Sequence, residues 1–302
     1  MVAGLSGIAS CPLSVYAWQN LHEAPLESGL HFFVSPSLSM YYGTVYEYVF
    51  DGGQKISELD WDVKPLICAG LNVSAYYDNF SLLGNYSQAV NEKTGKIEDF
   101  DWDANGVFTN YSSHDETQNG SVFYNLAFGY SLPLKDFFSI GMFAGWRYAD
   151  LQFSAQNGYL EYPPGSARQI VYGTGIIYEQ KYSIPYLGIK MSIIFPFFEI
   201  LGILNYSRWG SCEDKDSHIK RGLDFYDSIK DFEYFNAGCS INVPISERLK
   251  ANAGINANYI PMSKGSSYVI DVATGTRTVS IADTSGIEMR MLDLQVCITA
   301  VY

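Results

Sequence analysis

Two short segments of this sequence carry ionisable side chains at spacings that suit hydrolytic chemistry. The first covers residues 98–103 and reads EDFDWD. Residues two apart in an extended strand point to the same side, so Asp99, Asp101 and Asp103 are expected to share one face. Like charges held together resist ionisation, and one of these carboxyl groups is therefore predicted to have a raised pKa. The same residues also fit a solvated loop.

The second segment, DKDSH, covers residues 214–218. The same period of two places Asp214, Asp216 and His218 on one face. A carboxylate two residues from a histidine can fix the tautomer of the imidazole and stabilise its cation. A single Asp-x-His pair is weak evidence by itself, because most loop histidines have no chemical role.

The composition limits which partners and cofactors fit this chain. The net charge of -13 argues against nucleic acid, because phosphate binding needs a positive face, and it suits a cationic substrate. The five cysteines lie far apart, with no CxxC motif and no Cys/His cluster, so no metal site is predicted. The sequence also contains no P-loop, GxSxG or HExxH motif.

The elements that must position these residues are predicted to be β-strands. Apolar residues make up 47% of the chain and charged residues only 17%, and there are 24 tyrosines, a composition typical of all-β proteins. Apolar and polar residues alternate over 292–302, 249–259, 235–243 and 121–130. This alternation fits a barrel with lipid outside and water inside, although a soluble β-sandwich alternates as well.

The spacing of the turns favours the barrel. Short joins at 132–136, 195–197 and 244–247 alternate with long polar joins near 90–120, 157–173, 211–227 and 262–285, and Tyr and Trp recur near strand ends. We therefore predict an all-β protein, a transmembrane antiparallel β-barrel of about ten strands with long extracellular loops. The strands are expected near 32–50, 53–76, 79–97, 101–131, 137–156, 174–195, 198–213, 225–244, 249–262 and 286–302.

The N-terminus suggests export. Residues 1–17 are apolar, small and uncharged, as in the second half of a signal peptide, so we interpret them as a signal-peptide remnant and residues 18–302 as one barrel domain. The most apolar window, 189–204, is interrupted by Lys190, Pro196 and Glu199 and is too short for a helical span.

Several segments resemble, in the same order, the motifs of the omptins, a family of bacterial outer-membrane proteases. Residues 52–61 (GGQKISELDW) resemble the family's GGRKxSxLDW segment, and residues 99–102 (DFDW) its DxDW motif. Residues 113–118 (SHDETQ) are similar to SxHxDTQ, with a departure at Asp115-Glu116. Residues 181–188 (KYSIPYLG) resemble (R/K)xxxPYxG, and residues 206–218 resemble the YSxW…DxDxH segment.

The resemblance implies an endopeptidase in the bacterial outer membrane, with its active site facing the exterior at the rim of a ten-stranded barrel. It implies that Asp99 and Asp101 face Asp216 and His218 across an acidic cleft. His218 would take a proton from a water molecule, helped by Asp99, and no covalent enzyme intermediate would form. Asp216 would orient His218, and Asp101 would steady the tetrahedral centre or its leaving amine.

The resemblance also implies binding roles. Asp214 matches an acid that binds the basic side chain before the cleaved bond, so polypeptides with Arg or Lys are the expected substrates. The family's second pocket acid falls near Gly43 or Thr44, and Glu47 is the candidate that replaces it. No cofactor is expected, and the protein is expected to be a monomer.

Omptins require lipopolysaccharide, which basic residues on the outer wall grip, and the resemblance extends this expectation to an outer-membrane lipid. Lys181 and Lys230 match two of these positions, whereas a third reads Asp150. Ordinary snorkelling lysines explain Lys181 and Lys230 equally well.

Two other functions remain open at this point. A catalytically idle barrel could serve as a surface adhesin or interaction protein, and a pore is a weaker alternative because a ten-stranded barrel is largely filled by side chains. Retention of all four polar residues favours the protease, since an idle barrel has no physical need for clustered acids and a histidine at its rim.

Overall fold

The computed structural model describes residues 29–246 and 248–301, and the predicted signal-peptide remnant lies outside them. Within this part of the chain twelve antiparallel strands form one sheet. They are β1 (Leu30–Asp51), β2 (Gln54–Tyr77), β3 (Phe80–Ala89), β4 (Lys93–Trp102), β5 (Phe108–Gln118), β6 (Val122–Lys135), β7 (Phe138–Glu161), β8 (Gln169–Ile194), β9 (Glu199–His218), β10 (Leu223–Ser246), β11 (Leu249–Asp271) and β12 (Ile281–Val301).

The sheet closes on itself, because β1 pairs with β2 on one side and with β12 on the other. The strands β3 and β4 both pair with β2, one after the other along its length, and β6 and β5 share β7 in the same way. The twelve strands therefore fill ten positions around the barrel. The predicted all-β barrel is confirmed, with two of its positions each interrupted once.

The predicted strand ends are less accurate than the predicted barrel. A break was expected between residues 97 and 101, but β4 continues to Trp102 and its turn covers 103–107. The join expected over 211–227 is also wrong, because only 219–222 separate β9 from β10. The polar, acidic sequence suggested loops at these places. In the structure the strands continue as hydrogen-bonded pairs beyond the part of the barrel whose outer wall is apolar. Residues 98–102 and 214–218 consequently lie in regular strands.

The apolar band covers the outer wall near the short turns at 78–79, 136–137 and 195–198. Its outward side chains are large and exposed, among them Leu126, Phe128, Leu187, Ile189, Leu294 and Val296. A ring of exposed aromatic residues marks its upper edge, formed by Tyr42, Tyr86, Tyr124, Trp146, Tyr206, Phe235 and Tyr259. This arrangement is typical of a barrel with lipid around it, with aromatic residues at the interface. Among the described residues, no helix has the length and apolar character to cross a membrane.

The barrel interior changes character along its axis. At the level of the band it holds a polar network, in which the amide of Asn236 donates to Asn258 and Arg147 donates to the same oxygen, each at 3.1 Å. Above the band it holds an aromatic core, where Trp61 stacks on Tyr178 at 4.8 Å and packs against Phe153 at 5.8 Å. This aromatic core lies directly below the residues at the open rim.

Candidate active site

Asp99 and Asp101 of the first acidic segment lie on β4, and their carboxyl groups point into the barrel, whereas Asp103 lies in the turn that follows β4. Asp99 is opposite Leu59 and Ser112, and Asp101 is opposite Ser57 and Asn110. The amide of Asn110 donates to Oδ2 of Asp101 at 3.1 Å, which fixes that carboxylate.

Asp99 has the more unusual environment of the two acids. Its Oδ1 atom is buried and has no hydrogen-bond partner among the described residues. Burial raises the pKa of Asp99 to about 7, and the negative charge of Asp101 acts in the same direction. The raised pKa predicted for one member of this segment is therefore found at Asp99, which can exchange protons near neutral pH.

The second segment lies at the rim end of β9, where the carboxylate of Asp216 is hydrogen-bonded to the imidazole of His218. The Nε2 atom of His218 is 2.5 Å from Oδ2 of Asp216, a side chain only 2% exposed. The edge of the His218 ring packs against Phe225, with centroids 5.1 Å apart. With Nε2–H donating to Asp216, the lone pair of the imidazole is on Nδ1, which accepts a hydrogen bond from the guanidinium of Arg221 at 3.4 Å.

The fold brings the two segments together across the barrel mouth. The charge of His218 lowers the pKa of Asp99, whereas the charge of Asp216 raises it. Asp99 on β4 therefore interacts electrostatically with both members of the Asp216–His218 pair on β9. A water molecule between an acidic pair and an imidazole oriented by a carboxylate would have a proton acceptor on one side and a negative charge on the other. The arrangement is therefore suited to activating water as a nucleophile.

Below this cleft, three further acids converge in the barrel. One carboxylate oxygen from each of Glu47, Asp214 and Asp227 lies within 4.8 Å of the other two. Tyr178 donates to Oδ2 of Asp214 at 3.1 Å. Burial raises the pKa of Glu47 and of Asp214 well above the ordinary range, with neighbouring carboxylates adding to it, and burial raises the pKa of Asp227 to about 7. The structure thus brings the two predicted pocket acids, Glu47 and Asp214, together.

Asp227 was missed from the sequence, although a signal for it existed. A tight hairpin over 219–222 pairs His218 with Leu223, and the antiparallel register then pairs Asp214 with Asp227. The predicted long loop over 211–227 concealed this register. Gly222, which has a φ of 64°, marks the turn of this hairpin. Counting residues outward from the turn along both strands would have placed Asp227 opposite Asp214.

The two predicted lipid-binding lysines lie elsewhere, on the outer wall on either side of β9. Lys181 is opposite Glu213 in the neighbouring strand, and Lys230 is opposite Ser211. Lys181 also donates to Glu179 at 2.7 Å, and Lys230 is exposed. Both side chains lie just beyond the upper aromatic ring and face away from the cleft.

Comparisons with known proteins agree with this fold. The family model described as "Omptin family" matches residues 30–300, and the chain belongs to this family. It is 26% identical over 266 residues to the plasminogen activator of Yersinia pestis, with 85% of each chain covered. It is 27% identical over 243 residues to the outer membrane protease IcsP of Shigella flexneri, covering 74% of this chain and 75% of that one.

The architecture is also that of a solved member of the family. The outer membrane protease OmpT from Escherichia coli superposes with a TM-score of 0.84 at 21% identity, covering 92% of this chain and 99% of that chain. The predicted family, barrel fold and outer-membrane location are confirmed. The family and its named proteases support a protease function for this chain.

Proposed function

We propose that this protein is an endopeptidase of the outer membrane that hydrolyses peptide bonds next to basic residues. The observation that supports this most strongly is the buried carboxyl group of Asp99 facing the Asp216–His218 pair, with a pKa near neutrality caused by burial and by Asp101. The names of the relatives support polypeptides as the substrate class.

In the proposed reaction, Asp99 and His218 hold one water molecule between them. This water takes the place of the Arg221 guanidinium at Nδ1 of His218. The Nδ1 atom then takes a proton from the water, whose oxygen attacks the peptide carbonyl carbon. Asp216 keeps the imidazole oriented through Nε2 and stabilises the imidazolium that forms. The C–N bond then breaks, and the imidazolium returns its proton to the leaving amine. Asp101, fixed by Asn110, maintains the charge of the pair and steadies the tetrahedral centre or the amine.

The substrate side of the proposal depends on the acids below the cleft. Asp214 and Glu47 would accept the basic side chain that precedes the cleaved bond, since a buried carboxylate pair suits Lys or Arg. The net charge of -13 would attract cationic peptides to the mouth of the barrel.

We further propose that Lys181 and Lys230 bind the anionic headgroups of lipopolysaccharide and that the protein acts as a monomer. Both lysines lie just above the apolar band, at the height of lipid headgroups. Among the described residues, β1 is paired with β12 on one side and with β2 on the other, so neither of its edges is free to pair with a strand of another chain.

The test is cleavage of fluorogenic peptides by refolded protein in vesicles containing lipopolysaccharide. We expect Asp99→Asn and His218→Ala to lower kcat by about 10²- to 10⁴-fold, the usual contribution of a positioned acid or base. Asp115→Asn, an exposed acid on β5, is the matched control and should leave kcat unchanged.

Resistance of each variant to unfolding by detergent at room temperature would show that the barrel has formed. Unchanged kcat in folded Asp99→Asn or His218→Ala would refute the assigned roles. If the parent protein cleaves no peptide containing Lys or Arg, the idle-barrel alternative is favoured instead.

A further inference from the structure

Three acids below the cleft form one compact and enclosed group, which has one carboxyl group more than the two-acid pocket implied by the resemblance. Glu47, Asp214 and Asp227 come from β1, β9 and β10, and their side chains are only 3%, 4% and 6% exposed. One carboxylate oxygen of each acid lies within 4.8 Å of one oxygen of each of the other two. A point between them is then about 2.8 Å or less from each, since 4.8 Å divided by √3 is about 2.8 Å, and this is the length of a charge-assisted N–H···O bond.

The group has acceptor atoms that nothing in the described chain uses. Oε2 of Glu47, Oδ1 of Asp214 and Oδ1 of Asp227 are all buried without a hydrogen-bond partner among the described residues. Buried acceptors without donors cost free energy, so a site that retains three of them is built to receive a ligand that donates. The ligand must carry several N–H groups or positive charge, because all three groups are acids.

The position of the group indicates where that ligand comes from. Asp214 is two residues from Asp216 on the same inward face of β9, and Asp227 is its partner across the hairpin. The acids therefore lie one step deeper in the barrel than the proposed catalytic pair. A long side chain that enters from a peptide in the cleft would reach them with its terminal atoms.

We propose that Asp227 is a specificity-determining residue, which completes a three-acid pocket selective for lysine over arginine at the position before the cleaved bond. This inference rests on the proposed peptidase function and deepens it. The family resemblance accounted for two acids, Asp214 and Glu47, and the third comes from the β9–β10 register alone.

The chemical reason lies in the shapes of the two cations. A lysine ammonium is compact and directs three N–H groups from a single atom, so it can donate to three carboxylates that converge on one point. An arginine guanidinium is planar, and its five N–H groups spread over a rigid fork that matches one carboxylate edge-on. Three acids that converge from three strands thus match the lysine ammonium. The wider arginine guanidinium would leave some of its N–H groups, or one of the acids, without a partner.

The experiment compares two peptides that differ only in Lys or Arg before the cleaved bond. We expect the parent protein to have the higher kcat/KM for the lysine peptide, and Asp227→Asn to lower the Lys/Arg ratio about tenfold or more, the effect of losing one hydrogen bond to a charged group. The loss should be mainly in KM for lysine. Asp224→Asn is the control, because Asp224 is on the same strand but faces outward, where it pairs with Lys215 at 3.1 Å.

Binding measured by calorimetry on the His218→Ala protein separates this inference from the peptidase proposal. If the parent cleaves neither peptide but the His218→Ala protein binds the lysine peptide more tightly, and adding Asp227→Asn removes that preference, then the pocket stands and the peptidase proposal fails. A Lys/Arg ratio that is unchanged by Asp227→Asn in both measurements would overturn the inference. So would calcium binding without peptide that Asp227→Asn abolishes while the lysine preference remains, since the acids would then form a cation site.

Discussion

At the scale of single residues, the site depends on carboxyl groups that the barrel keeps from ionising freely. Burial and Asp101 raise the pKa of Asp99 to about 7, and burial raises the pKa of Asp227 to about the same value. An acid with a raised pKa binds its proton more tightly in the folded protein than in the unfolded chain. Ionising these groups therefore costs stability as the pH rises from about 4 towards 7, a cost that a bound cation would offset.

The pH dependence of catalysis should report Asp99 directly. If Asp99 acts as an ionised group, kcat/KM should rise with pH and level off above about 7. Because the charge of Asp101 raises the pKa of Asp99, Asp101→Asn should move this acidic limb to lower pH, in addition to reducing the maximal rate. The measurement is the full pH profile of the parent, of Asp101→Asn and of Asp115→Asn as control. A limb at the same pH in Asp101→Asn would contradict the coupling.

At the scale of elements, two hairpins present the side chains that are proposed to be catalytic. In the β4–β5 turn the carboxylate of Asp103 accepts from the backbone N–H of Asn105 at 2.8 Å and of Val107 at 2.9 Å. This local Asx arrangement sets the register in which Asp99 and Asp101 point inward. The four-residue β9–β10 turn sets the register for Asp214, Asp216 and His218 in the same way.

The path of β4 also requires a glycine at its start. Gly95 lies at an irregularity of the β4–β5 pairing with a φ of 157°, and a Cβ atom there would be 2.5 Å from the backbone oxygen of Asp62 in β2. We expect Gly95→Ala to push β4 from β2, to cost about 1–3 kcal/mol, and to lower kcat by displacing Asp99.

The checks are thermal unfolding in detergent together with peptide cleavage. Gly84→Ala is the matched control, because its nearest neighbour would be 3.8 Å away, and it should alter neither property. A Gly95→Ala protein as stable and as active as the Gly84→Ala protein would show that the close approach does not position Asp99.

At the scale of the whole molecule, the barrel separates lipid contact from chemistry. The apolar band and its aromatic ring surround the lower half, and strands β1, β9 and β10, of 20 to 24 residues, carry Glu47, Asp214 and Asp227 well above it. About ten residues suffice for a strand to cross a bilayer. The proposed lipid-binding lysines lie between these two levels, on the outer wall.

Lipid dependence should therefore differ between the two lysines. Lys181 is already paired with Glu179 at 2.7 Å, whereas Lys230 faces Ser211 in the neighbouring strand. We expect Lys230→Gln to raise the lipopolysaccharide concentration for half-maximal activity more than Lys181→Gln does. Titration of detergent-folded protein with lipopolysaccharide measures this, with Lys135→Gln at the opposite end of the barrel as control. Equal responses of all three variants would refute a role for Lys181 and Lys230.

Local patterns in the amino-acid sequence were enough to predict the class of fold and the faces of the two acidic segments. Alternation with a period of two is a local property of a strand, so Asp99 and Asp101, and likewise Asp216 and His218, could be assigned to common faces without any tertiary information. Motif order then identified the family. The ends of β4 and β9 were misjudged for a physical reason: acidic, polar sequence is typical of loops, but here it forms paired strands above the membrane.

Which acids share one pocket depends on how the barrel closes. Glu47 reaches Asp214 because the sheet curves and closes, which brings β1 opposite β9 across the barrel interior. Asp227 joins them through a hairpin register that depends on where β9 ends. Contacts across a closed barrel depend on its curvature and on the stagger of its strands, and neither of these leaves a local pattern in the chain.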